Sequence, residues 1–153
     1  MAHVPPNARI LHFTNVVAPP NVPPDGEAAM NYLFSICGFN PRPRTVLIDE
    51  EGLDNIETFS SLRYENLTDL LKARASIPNN RGGMIVSQLA KRRIAGLLYW
   101  IREIKSRGGV PDPNQCNINT IIQSLQSLDA KKELAEEAFD AMQMCIVITR
   151  VWC

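Results

Sequence analysis

The segment from Ser87 to Arg107 constrains the fold more than any other part of the chain. At 100° per residue, Ala90, Ile94, Leu97, Ile101 and Ile104 fall on one arc, with Leu98 and Trp100 at its edges. Gly108-Gly109 follows directly, which is where a helix ends. The pattern predicts one long amphipathic helix that needs an apolar surface to lie on. The preceding residues supply it as short helical segments. Asp25 is expected to cap a first helix carrying Ala29, Met30, Leu33, Phe34 and Cys37, closed by Gly38. A second, short helix follows Pro41-Arg42-Pro43-Arg44, carries Val46 and Leu47, and ends at Gly52. Asp54 is expected to cap a third, with Ile56 and Phe59, and Leu62, Leu67, Leu70 and Leu71 mark a fourth, from about Tyr64 to Ile77. Pro78 and the Asn79-Asn80-Arg81-Gly82-Gly83 run break it.

The flanks read differently. Residues 1–24 hold six of the eleven prolines, which lack a backbone donor and fix φ, so an extended arm is expected there. Pro111 and Pro113 mark a linker over 110–116. A C-terminal helical segment follows over 117–145, carrying Ile118, Ile121, Ile122, Leu125 and Leu128 and then Leu134, Ala138, Phe139 and Met142. Asp129 either restarts that helix or sits inside it. Residues 146–153 depart from helical periodicity and read as an apolar tail, a truncation or the start of something larger. The expectation is an all-α fold: a bundle of about five helices over 25–109, a further C-terminal helix and a proline-rich arm.

At 153 residues the chain is long enough to bury a core in one domain. Sixteen basic residues balance sixteen acidic ones, so net charge favours no partner class. Its distribution does. From Arg81 to Arg107 there are seven basic residues against one acidic, leaving nine basic and fifteen acidic elsewhere. Lys91, Arg102 and Lys105 align along the flank of the long helix, while the consecutive Lys91, Arg92 and Arg93 fan over about 200° and cannot all face one flat partner. Asp49, Glu50 and Glu51 sit at a helix C-terminus, where acid opposes the macrodipole, and read either as a solvated end or as an acidic knob for a basic partner. A head-to-tail contact between that knob and the stripe of another copy would build open filaments. The alternative is phosphate binding by Lys91, Arg92, Arg102 and Lys105 with Tyr99 stacking on a base. Trp100 is expected to pack in the core.

No nucleophile–base pair, phosphate-binding glycine loop or dinucleotide fingerprint is present, and Glu136-Glu137 lies on a polar face without histidine. The expectation is therefore a non-enzyme. Cys37, Cys116, Cys145 and Cys153 make no C-x-x-C pair, and the two histidines, His3 and His12, lie in the arm, so neither metal nor cofactor is expected. No signal peptide or membrane span is expected, which implies an intracellular setting, cytoplasmic or nuclear, with reduced thiols. The expected partner is the chain itself or another protein, with RNA or DNA as the alternative, and no membrane or small-molecule substrate.

Two resemblances add to this reading. Phe59-Ser60-Ser61-Leu62, Glu65-Asn66-Leu67 and Leu70, followed after a glycine loop by Arg92-Arg93-Ile94, Leu97-Leu98 and Ile101, resemble the second half of a sterile-alpha-motif (SAM) domain across residues 25–107. That resemblance implies a five-helix bundle that self-associates or binds proteins, with RNA binding in a few members. A wider pattern, Leu33, Gly38-Phe39, Leu47 through Leu53, Phe59, Leu62, Arg92-Arg93-Ile94, Leu97 and Tyr99-Trp100, is similar to the N-terminal region of Gag-like polyproteins of microalgal retrotransposons. It implies a structural, self-assembling role. The tight Cys/His cluster of a nucleocapsid zinc knuckle is not in this sequence.

Overall fold

The computed structural model describes residues 21–152, with side chains throughout except at 139–141 and 144–152. The arm expected over 1–24 therefore lies, for residues 1–20, outside the described residues. Among the described residues the fold is all-α: six α-helices and no strand. They are α1 (Glu27–Ile36), α2 (Pro41–Thr45), α3 (Ile56–Ser60), α4 (Tyr64–Ala75), α5 (Gln88–Ser106) and α6 (Ile118–Trp152).

Local sequence accounts for most of the boundaries. Gly38, at φ 93°, ends α1: its N–H donates to Ser35 O at 3.0 Å and the Phe39 N–H to Phe34 O at 3.2 Å, the paired bonds of a left-handed glycine stop. Proline at the first position opens α2, and Val46–Glu50 continues it as a π-helical turn, with the Glu51 N–H reaching Val46 O at 3.0 Å. Ser87 caps α5 by accepting from the Ala90 N–H at 3.1 Å. Two expected caps move by a residue. Gly26, not Asp25, precedes α1, and the Asp25 carboxylate accepts from the N–H of Gly26 (2.7 Å) and of Ile56 (2.8 Å). It thus serves the start of α3 together with Asn55, which accepts from Thr58 in place of the expected Asp54. Asp25 thereby ties the start of α1 to the start of α3.

The core gathers Met30, Leu33, Phe34 and Cys37 of α1, Val46, Leu47 and Ile48 after α2, Phe59 of α3, Leu67 and Leu71 of α4, and Ile94, Leu97, Leu98 and Ile101 of α5. The Phe34 and Phe59 rings meet edge to face with centroids 5.5 Å apart. Fully buried Leu98 and buried Gly96 widen the apolar arc beyond the expected one, because α5 is covered on a second side by α6. A Cβ on Gly96 would lie 2.8 Å from Leu125 Cγ and 3.0 Å from Ile121 O, so glycine sets how closely the two helices approach. Trp100 is half-buried against the core, as expected.

The C-terminal region differs from the expected division. α6 is one continuous helix of 35 residues, with Asp129 inside it, and its backbone stays helical through Trp152 instead of ending at 145. The β-branched residues after 145 are only moderate helix formers, but they add to a helix already nucleated and so avoid the cost of a new nucleus. The 110–116 linker is structured as well. A single 3-10 turn, Pro113–Gln115, buries Pro113, and Cys116 joins the core. Asn114 pairs with both backbone groups of Val22: the Val22 N–H donates to Oδ1 at 3.0 Å and Nδ2 donates to Val22 O at 2.9 Å.

Candidate interaction surfaces

The acidic end after α2 is held within the chain. Arg74, on α4, donates from Nε to Glu51 at 2.7 Å and from Nη1 to Glu50 at 3.2 Å and to Gly82 O at 2.8 Å. Its side chain is only 16% exposed. Hydrogen bonding to Glu51, the largest cause, holds the guanidinium above its ordinary value. Gly82 takes a left-handed φ of 86° beside this pair, and a Cβ on Gly83 would fall 1.9 Å from Ile77 O. The Arg81-Gly82-Gly83 turn is thus built to fold back on α4. Asp49 stays exposed with no ion-pair partner among the described residues.

The cations of the expected stripe lie on different neighbours. Lys105 donates to Glu57 at 2.6 Å and to the Ser60 hydroxyl at 2.9 Å, tying α5 to α3. Arg102 lies over the Tyr64 ring, 5.5 Å from its centroid, and reaches Leu62 O at 3.4 Å. Lys91 is half-buried near the start of α5. Arg92 pairs with Asp129 of α6 at 2.9 Å. Glu50 and Glu51 therefore meet none of Lys91, Arg102 or Lys105 within one chain.

Tyr99, expected to stack on a base, is half-buried, and α6 brings Lys131 over its ring at 5.1 Å. Tyr99 and Arg102 come together in an open groove between α4, α5 and α6 that also holds Arg63, Tyr64, Glu103 and Lys131. Lys131 donates to Glu103 at 3.0 Å, and that bond holds its ammonium above its ordinary value. Burial pushes the Tyr64 phenol up, against the opposing pull of Arg102. Periodicity on α5 finds Tyr99 and Arg102, but no spacing rule joins residues 64, 99 and 131.

The other surface is α6 itself. Leu128 is its last buried residue among those described. Every described side chain from Lys131 to Ala138, and those of Met142 and Gln143, is exposed. Leu134 and Met142, both large apolar side chains, stand 63% and 64% exposed. Glu136 and Glu137 are exposed too. Among the described residues no cluster of three His, Cys, Asp or Glu side chains could hold a metal ion, and no helix is long and apolar enough to cross a membrane.

Comparisons with protein-family models, curated proteins and solved structures return no match for the chain.

Proposed function

We propose that this chain is a non-enzymatic helical self-association module that pairs with a second copy through the C-terminal half of α6. The observation that carries the reading is the exposure of Leu134 and Met142 on a helix that continues well past Leu128, the last residue it buries among those described. An isolated helix gains little from propensity and relies on packing for its stability.

The sequence of this half has the spacing a helical partner needs. Leu134, Ala138, Ala141, Cys145, Ile148 and Trp152 alternate four and three residues apart, the repeat of a two-helix seam, with Met142 at a position flanking it. An antiparallel pairing centred on Gln143 sets position 134 level with 152 of the second copy, 138 with 148 and 141 with 145. The two bodies then sit at opposite ends and do not collide. A contact between the acidic end and the basic stripe of another copy would first have to break the Arg74 pairs with Glu50 and Glu51 and the Lys105 pair with Glu57. The SAM-like and Gag-like resemblances both imply self-association, and a structural role in a larger assembly is the setting they suggest.

Light scattering on the full chain, over a range of concentrations and at two salt levels, tests the reading. A dimer that Leu134→Lys and Met142→Lys convert to monomer supports it. A monomer at every concentration rejects it. Mass that falls with salt and responds to charge swaps at Glu50 and Arg102 transfers the contact to the charged surfaces.

A further inference from the structure

The open groove between the start of α4, the second half of α5 and the middle of α6 has a volume of about 760 Å³. Small-molecule sites occupy roughly 300–1,000 Å³. Its apolar floor is Leu128. Two phenol rings rise from it, each with a cation over its face: Arg102 above Tyr64 at 5.5 Å and Lys131 above Tyr99 at 5.1 Å. A third cation, Arg63, stands at the mouth, largely exposed. Glu103 holds Lys131 at 3.0 Å, and Glu65 lies 3.7 Å from Arg63. Arg102 has no carboxylate within ion-pair distance among the described residues. Its polar contact is a carbonyl at 3.4 Å, near the limit for a hydrogen bond.

We infer that this groove binds a nucleotide group, an aromatic base carrying phosphate, either free or as part of a single strand. The two tyrosines offer π-faces, and every base has a π-face to stack on them. The unpaired guanidinium of Arg102 offers a planar fork of donors that matches phosphate oxygens. Phosphate held by Arg102 sets the base against the two tyrosine rings. Other ligand classes fit less well. A quaternary ammonium seeks an aromatic cage, but three cations already line this one. A purely apolar ligand would find one aliphatic side chain, Leu128, and would strip water from five charged groups. Inorganic phosphate alone would leave the tyrosines unused. The pairing of aromatic and cationic side chains singles out a ligand that has both parts. The site differs from the phosphate-binding set expected from the sequence: it takes Tyr99 and Arg102 from it and leaves out Lys91, Arg92 and Lys105.

Titration calorimetry on the full chain at low salt tests the assignment with three probes: adenosine monophosphate, a single-stranded oligonucleotide of about eight nucleotides, and inorganic phosphate. The expected result is binding of the nucleotide or the strand at least about tenfold tighter than phosphate. Arg102→Gln and Tyr99→Ala should each weaken it by about tenfold, the scale of one base-stacking contact. Tyr99→Phe keeps the π-face and should bind within about twofold of the parent chain. Lys91→Ala lies outside the groove and should leave affinity unchanged. Equal affinity for the mononucleotide and the strand marks a free-nucleotide site. Binding of the strand alone marks a single-strand site. The inference is overturned if neither nucleotide probe binds, if phosphate binds as tightly as the nucleotide, or if Lys91→Ala weakens binding as much as Arg102→Gln. Unfolding midpoints of the four variants separate loss of binding from loss of fold, and Tyr99→Phe, which keeps the ring's packing, keeps the test decisive if Tyr99→Ala does not fold.

Discussion

At Gly96 two opposing effects meet in one atom. Alanine would gain up to about 1 kcal/mol of helix propensity in the middle of α5. Its Cβ would also press against Leu125 Cγ at 2.8 Å and the carbonyl of Ile121 at 3.0 Å. The leucine can rotate; the carbonyl belongs to the α6 backbone and cannot yield without moving the helix. Overpacking of this kind costs about 1–3 kcal/mol. Gly96→Ala should therefore lose about 1 kcal/mol net and Gly96→Val more, read as a lowered urea midpoint. A more stable alanine variant would mean that α6 sits further from α5 than described. Cys116 presents a second residue-level consequence. Burial pushes its thiol from 9.0 up to about 12. Burial also raises Cys37, and it raises the phenol of Tyr32, whose hydroxyl donates to Cys116 O at 3.2 Å. Between pH 9 and about 12 an unfolded Cys116 has lost its proton while the folded one keeps it. The unfolded chain then binds fewer protons, so stability falls as pH rises, by about 1.4 kcal/mol per pH unit for this thiol. Below pH 9 its contribution is intact. Urea unfolding of the parent and of Cys116→Ala from pH 8 to 10.5 checks the sign, since the alanine chain should show the shallower decline.

Among the elements, α5 was the most legible in the sequence, because its period, its Ser87 cap and its glycine stop are all local signals. The same holds for Gly38 and for the proline that opens α2. The misreadings share a different cause. Gly96 is invisible to a hydrophobic wheel, since glycine carries no apolar side chain to place on it. Asp25 serves a helix 31 residues away, and Asn114 serves backbone 92 residues away, separations that no window of sequence spans. The candidate site was half legible for the same reason: one helix face holds Tyr99 and Arg102, but their neighbours come from α4 and α6. The acidic residues after α2 look uncommitted only until Arg74 is placed beside them. That arginine joins three elements, α4, the turn after α2 and the Gly82 loop. Arg74→Ala should cost about 2 kcal/mol, because two charge-assisted hydrogen bonds and a carbonyl acceptor lose their donor. Arg74→Lys should recover little of it, since a single ammonium cannot reproduce the fork. Thermal unfolding of both variants decides the point; full rescue by lysine would mean that charge alone holds the turn.

On the scale of the whole molecule, the proposed pairing through α6 would link stability to concentration. A partner that binds only the folded state raises the unfolding temperature as its concentration rises. The full chain should therefore show a Tm that climbs with protein concentration, and the Leu134→Lys chain a Tm that does not. Equal, concentration-independent values in both would place the exposed face of α6 outside any self-contact.

The Asn114–Val22 pair, with the Tyr32 bond to Cys116, sets an order in time as well as in space. These contacts close loops of 92 and 84 residues. Contacts of such separation form late, after local helices have condensed. On a ribosome adding about 5–20 residues per second, α1 emerges about 4–16 seconds before the residues that latch it, and α5 about 0.4–2 seconds before them. The nascent body must wait unlatched, with the side of α5 that α6 will cover still open. What a translating cell holds during that interval is a bundle without its lid, and a chaperone would meet it on the strip around Gly96, Leu97 and Leu98.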